Sequence, residues 1–410
     1  MDVKSKFLRY IAIDTESIDR NDGQIPSTTE QWTLAGMLVK ELKKLGAVDA
    51  YADDACIVYA HFPATEGYEN KAAFGCIAHM DTVSNGKNIK PHIISDYDGK
   101  DIVLENGIVI ETAKNPELPG LIGRQMVVTD GTTILGADDK AGIAAIMGMC
   151  ELLSEKNVPH GKVCIAFTPD EEINTGGITK FSLDKFGADY AVTVDGSAEN
   201  AIEYENFNAA SAAIEVKGVP THPGSARGIM INAARVLYEF HSMLPAKEAP
   251  EFTEGREGFY HLTHMEGSTA KASGKYIIRE HDKDKFEQKK SFIKDIAASL
   301  NKKYGQGTVK VTVSDSYKNM AEVINQHPQI VGNIDKAIRN AGMVPECVPI
   351  RGGTDGARLT FMGLPCPNLG AGGYSAHGSQ EHCTIEGMEK SAQVLLELVK
   401  IYAEVDKSLV

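Results

Sequence analysis

The chain has 410 residues, 42% of them hydrophobic and 24% charged, which is enough for two or three domains with ordinary globular cores. Its 42 lysines and arginines against 56 acids leave a formal charge of −14, arguing against nucleic acid or an anionic membrane as partner, since both demand a basic surface. Metal cations and small zwitterions are compatible with that balance.

The opening MDVKSKFLRYIAIDTES has no uninterrupted apolar run and no small-residue cleavage pattern, so it does not read as a secretory leader. Seven cysteines are scattered without a C-x-x-C pair, several in apolar runs (FGCIAH, KVCIAF); free buried thiols and a cytoplasmic setting are expected. Residues 28–46 carry apolar residues at helical spacing, with Thr28 and Gln31 offering a capping box and Gly46 a stop. Apolar runs of strand length follow at 56–62, 72–79, 161–169 and 188–196, and a helical pattern over 140–155 lies between the second and third. Its apolar part, AGIAAIMGMCELL, is too short to span a bilayer. Buried strands interleaved with helices predict an α/β domain with a mostly parallel sheet.

Residues 209–315 change character: strand, helix 228–244, two strands, a charged helix 283–304, and a strand. That β-α-β-β-α-β order is a compact α+β sandwich. Helix 328–342, the Gly-rich stretches RGGTDGARL and LGAGGY, and an amphipathic helix 386–405 complete the chain. The expected organisation is a discontinuous α/β domain, residues 1–206 with 318–410, interrupted by an inserted domain over 207–317 whose two crossings would act as hinges.

The chemistry-bearing residues fall at strand ends. FGCIAH ends in His79 with Asp81 two residues on, KVCIAFTP runs into Asp170-Glu171-Glu172, and ADYAVTVD ends in Asp195. Parallel sheets bind ligands at the carboxyl ends of their strands. The turn in VTDGTTILGADDKAGIAAIMGM can bring Asp138 to the same rim; alternatively Asp138 and Asp139 simply cap the helix that follows. Carboxylates about 4 Å apart repel by about 4 kcal/mol at an effective dielectric of 20. A cluster of them therefore protonates or holds cations, and imidazoles among them select a transition metal, most often zinc. Near the end, YSAHGSQEH holds two histidines, and its spacing favours His377 over His382 as a ligand; Glu381 reads as a local orienter or a solvated acid. The RGGTDG and GAGG loops do not lead from a strand into a helix, which excludes a phosphate cradle.

Together GCIAHMDTV, TDGTTILGADDKAGIA, FTPDEEINTGG, TVDGSAE, THPGSARG, IRGGTDGARL and NLGAGGYSAHGSQEH resemble the M20 family of dinuclear zinc exopeptidases, and within it the tripeptide aminopeptidases. The resemblance covers essentially the whole chain. It implies a mostly parallel-sheet zinc-peptidase domain with the inserted sandwich as a lid, and a homodimer formed through that insertion. It implies two Zn²⁺ ions, with Co²⁺ or Mn²⁺ as substitutes, bridged by Asp138. His79 and Asp195 would complete one site, Glu172 and His377 the other. Asp81 would orient His79, Glu171 would be the general base, and a cis peptide would join Asp138 to Asp139. The implied reaction is hydrolysis of the N-terminal peptide bond of tripeptides, the alternative being an M20 dipeptidase or N-acyl-amino-acid amidohydrolase. His222 would approach the substrate carbonyl as an oxyanion donor. Arg279 and Arg351 would suit a peptide's C-terminal carboxylate.

Overall fold

The computed structural model describes residues 1–19, 22–173 and 176–409. They form two compact units: Met1–Tyr204 with Glu322–Val348 and Thr354–Val410, and Glu205–Ala321 with Pro349–Gly353.

The first unit is built on an eight-stranded sheet, ordered Val48–Ala52, Val58–Phe62, Val163–Thr168, Phe74–His79, Tyr190–Gly196, Asn368–Gly370, Ala201–Glu203 and Glu346–Cys347. Its middle is parallel: Phe74–His79 pairs in parallel with both Val163–Thr168 and Tyr190–Gly196, and the latter with Asn368–Gly370. Its flanks are mixed. Val58–Phe62 runs antiparallel to Val163–Thr168 and to Val48–Ala52, because the short link over 53–57 can only fold the chain back. The short link over 197–200 turns Ala201–Glu203 back relative to Tyr190–Gly196, so it lies antiparallel to Asn368–Gly370, yet parallel to Glu346–Cys347.

Both faces of this sheet are covered, which is why Phe74–His79 and Val163–Thr168 are apolar and buried throughout. On one face lies helix Ala137–Lys156, flanked by Val3–Ile11 and Ile385–Tyr402. Almost every residue from Ala141 to Leu153 is buried, so its sequence is small and apolar all round rather than amphipathic. On the other face Ile77, Ala166, Phe186 and Leu359 pack together. A second, antiparallel sheet orders Gly373–Tyr374, His382–Thr384, Met126–Thr129 and Pro91–Ile94. It fixes the loop leading into Asp138 beside the loop carrying His377.

Three local differences from the sequence reading have simple causes. The 28–46 helix starts at Glu30 with Thr29 before it and no side-chain cap on its N–H groups; Thr28 and Gln31 do meet, side chain to side chain at 3.1 Å, and the buried Gln31 amide also donates to Asp170 Oδ1 at 2.7 Å. The 140–155 helix begins at Ala137, but Asp138 and Asp139 keep non-helical backbone angles inside it. Six cysteines are buried free thiols, while Cys347 on an edge strand is exposed. Among the described residues no helix is long and apolar enough to cross a membrane.

The second unit is a four-stranded antiparallel sheet, ordered Phe259–Gly267, Lys271–Glu280, Asn208–Lys217 and Val309–Tyr317. Helices Ala233–Ser242 and Lys283–Tyr304 cover one face through Ile214, Leu237, Phe240, Tyr276 and Ile293. Alternation along Asn208–Lys217 leaves the opposite face open to solvent. Pro349–Gly353 belongs to this unit, so the RGGTDG stretch is divided, Arg351 in one unit and Asp355 in the other.

Candidate active site

The adjacent carboxylates at 138 and 139 do different things. Asp139 is buried; its Oδ1 accepts the Gly142 N–H at 3.1 Å and its Oδ2 the His79 N–H at 3.2 Å. It is thus the helix cap, and it ties the end of the His79 strand to the helix. Asp138, joined to it by a cis peptide, turns outward. The loop before it is held by Glu381, whose carboxylate accepts the N–H groups of Leu135, Gly136 and Asp138 at 2.6, 2.8 and 3.0 Å. Glu381 is 1% exposed, so it is an internal anchor and not a solvated acid.

Around Asp138 four other side chains from distant strand ends and loops converge. Its Oδ1 is 2.9 Å from His79 Nε2 and its Oδ2 is 3.0 Å from His377 Nε2. His79 Nε2 also lies 3.5 Å from Asp195 Oδ1, and His377 Nε2 2.9 Å from Glu172 Oε1. Two groups result, His79–Asp138–Asp195 and Asp138–Glu172–His377, each with its donor atoms within 4.8 Å of one another. His382 is elsewhere: it stacks on Tyr374 with ring centroids 5.4 Å apart, and its Nε2 is 3.4 Å from Glu117. Asp81 serves three neighbours. Its carbonyl is 3.1 Å and its Oδ1 3.4 Å from His79 Nδ1, while its carboxylate accepts the N–H groups of Glu171 at 2.9 Å and Glu172 at 3.1 Å.

The crowding of acids shifts the titration of the whole cluster. Burial, then the neighbouring Asp138 charge, pushes Asp195 up to about 8. Burial also raises Glu171 well above the carboxylate range, with Asp355 and Asp195 adding to it. Bonds to Asp138 and Glu172 carry His377 up to about 11. His79 rises too, although burial opposes it, because Asp195 and Asp138 face it. Two imidazole nitrogens and three carboxylates, one shared, form the N/O donor set that divalent transition ions take, so the residues present fit two such ions.

Residues 130–401 match the model of Peptidase family M20/M25/M40. The chain belongs to this peptidase family. It is 49% identical over 407 residues to a protein named Peptidase T from Caldanaerobacter subterraneus subsp. tengcongensis, covering 98% of this chain and 99% of that one. It is 48% identical over 404 residues to Peptidase T of Geobacillus kaustophilus, covering 97% and 98%. Among solved structures, the aminopeptidase PepT of Bacillus cereus superposes with a TM-score of 0.78 at 22% identity, and a tripeptidase of Staphylococcus aureus with 0.77 at 22%, each covering 98% of both chains. These two show a shared fold.

Several residues of this M20 peptidase that the sequence reading did not single out also shape the site. Asp355 is 3% exposed and accepts the Thr168 hydroxyl at 2.6 Å, while its Oδ1 is buried without a hydrogen-bond partner. Following Thr354, whose Oγ1 accepts the Ala357 N–H, it reads in sequence as an ordinary first-turn acid. Lys140, fully buried, donates to the Ile13 carbonyl at 3.1 Å, and burial lowers it to about 8.

The three inserted-unit residues have local partners. His222 caps a short 3₁₀ turn, its Nδ1 accepting the Gly224 N–H at 3.2 Å. The Arg279 guanidinium lies 5.2 Å from the Tyr317 ring centroid and donates to the Ile278 carbonyl. Arg351 donates to the Gly255 and Glu257 carbonyls and to Thr253 Oγ1, pinning that loop, and lies over Phe207 and Phe259.

Proposed function

We propose that this M20 peptidase is a metal-dependent aminopeptidase that releases the N-terminal residue of tripeptides. The observation that carries this reading is the pair of donor groups sharing Asp138, with the Glu171 backbone held beside them by Asp81. The substrate class comes from full-length relatives named Peptidase T at 44–49% identity.

His79, Asp138 and Asp195 would hold one ion, and Asp138, Glu172 and His377 the other; Zn²⁺ suits this donor set best, with Co²⁺ or Mn²⁺ as substitutes. When bound, such ions polarise a carbonyl and make water acidic enough to attack near neutral pH. Glu171, whose backbone Asp81 holds beside the two donor groups, would take the proton of the attacking water and deliver it to the leaving amine. Asp81 keeps that base in place through the Glu171 N–H and steadies His79 from the opposite side. The substrate's cationic α-amine is drawn to the acidic rim, which accounts for cleavage at the amino end. His222 would donate to the developing oxyanion, and Arg279 and Arg351 would take the far carboxylate. Arg351 would have to exchange part of its bonding to the 253–257 loop for that role.

The test is hydrolysis of a matched set of di-, tri- and tetrapeptides and an N-acetylated tripeptide by metal-replete protein. Turnover of the free-amine tripeptide alone is expected. Preferential cleavage of a dipeptide or of the acetylated substrate would replace this reading with a dipeptidase or amidohydrolase.

A further inference from the structure

The turn that carries Glu171 and Glu172 is gripped from two sides, and only one grip comes from the site itself. Asp81 holds the two N–H groups from within. From outside, Asp170 is held by the N-terminal segment, roughly 140 residues away in sequence. Its Oδ2 accepts the Ser27 N–H at 2.7 Å, and its Oδ1 accepts the Ser27 hydroxyl at 2.6 Å and the Gln31 side-chain amide at 2.7 Å. The Gln31 carbonyl oxygen in turn accepts the Asp170 N–H at 3.2 Å. Asp170, Ser27 and Gln31 are all essentially buried, at 1%, 1% and 0% exposure.

This grip holds an unusual backbone. Asp170 sits at φ 55°, in the left-handed region that a non-glycine residue seldom adopts. Its carbonyl accepts the Gly176 N–H at 2.7 Å. Released from its anchors, residue 170 would relax toward negative φ and swing the following peptide, and with it both glutamates, out of register with Asp81. The same N-terminal segment also braces the His79 side. Thr15 Oγ1 donates to the Met80 carbonyl at 2.7 Å, and the Ser17 N–H donates to the Thr82 carbonyl at 2.9 Å, on either side of Asp81.

The geometry points to Asp170, Ser27 and Gln31 as positioning residues for the reaction: through them the N-terminal segment sets the backbone from which Glu171 and Glu172 project. This inference rests on Glu171 being the general base. Outer partners of this kind are worth roughly 10–100-fold in activity.

The experiment compares Ser27→Ala, Gln31→Leu and Asp170→Ala with the parent protein, measuring kcat and KM for a tripeptide at saturating metal, metal stoichiometry, and melting temperature. Asp170→Ala is expected to lose roughly 10–100-fold in kcat, with KM changed less than about twofold and the full metal stoichiometry reached only at saturating metal, because Glu172 moves with Glu171. Ser27→Ala should lose less in the same pattern. The triple variant should be no slower than Asp170→Ala, because all three act through one link. A lowered melting temperature with unchanged kcat in the folded fraction would reduce these residues to scaffold and overturn the inference. If Asp170→Ala does not fold, Ser27→Ala, which deletes one hydroxyl, decides the matter alone. An unimpaired Glu171→Gln variant would instead remove the general-base reading, and is scored separately.

Discussion

His377 Nε2 lies 3.0 Å from Asp138 Oδ2 across 239 residues of sequence, whereas His382, five residues further on, is buried against Tyr374. The two histidines of one short motif therefore have separable roles. His377→Ala should bind one divalent ion fewer per chain and lose at least about 10²-fold in kcat, because it removes a donor from one group. His382→Ala should keep both ions and cost about 2–4 kcal/mol of stability through lost packing and an unpaired Glu117. Metal analysis after gel filtration, with denaturant melts, checks both.

Glu171→Gln should retain metal while losing at least about 10²-fold in rate, since a positioned base supplies 10²–10⁴-fold. The amide preserves shape but cannot take the proton. Measuring kcat beside metal content separates this from loss of the site.

Metal uptake should release protons. Both imidazoles are raised in the metal-free protein, His377 to about 11, so near neutral pH they carry protons that a metal must displace. Apparent affinity should therefore rise about tenfold per pH unit for each proton displaced. In the metal-free fold the sign is opposite: the His377 ion pairs contribute fully below the ordinary value of 6.5, and that contribution erodes as pH climbs toward about 11. Calorimetry in buffers of different ionisation enthalpy counts the protons, and an uptake independent of buffer would contradict the prediction.

Gly142→Ala should be severely destabilising, by more than about 3 kcal/mol. A Cβ there would stand 1.8 Å from the Val194 carbonyl oxygen and 2.2 Å from Asp139 Oδ1, and the first is backbone that cannot step aside. Gly36→Ala is the matched control. It lies in helix Glu30–Lys44 with open space around its Cβ position, so it should stabilise by about 0.5–1 kcal/mol. Denaturant midpoints compare the two.

What could be read from the sequence follows the range of the interaction. His79, Glu172 and Asp195 are legible because each ends or follows an apolar run of strand length, and the carboxyl edge of a parallel sheet collects such residues. The division of labour between Asp138 and Asp139 is not legible, since either carboxylate can cap a helix and only the backbone path decides which one does. Gln31 reads as half of a capping box with Thr28, and its amide does donate to Thr28 Oγ1 at 3.1 Å; its bond to Asp170, 139 residues away, is what a local motif does not disclose. The antiparallel flanks of the sheet are hidden for a similar reason, as an apolar run carries no sign of its direction. Glu381 shows that a polar motif does not disclose burial: its three backbone partners lie more than 240 residues earlier.

The strand Asn368–Gly370 is threaded between Tyr190–Gly196 and Ala201–Glu203, and Asn368 Oδ1 accepts the Asp195 N–H at 3.2 Å. On the ribosome, the first 204 residues emerge with that slot still vacant, and His377 is translated later still. A fragment that ends before Asn368 therefore lacks both an interior strand of the sheet and the His377 donor, and should neither complete this unit nor assemble the second donor group.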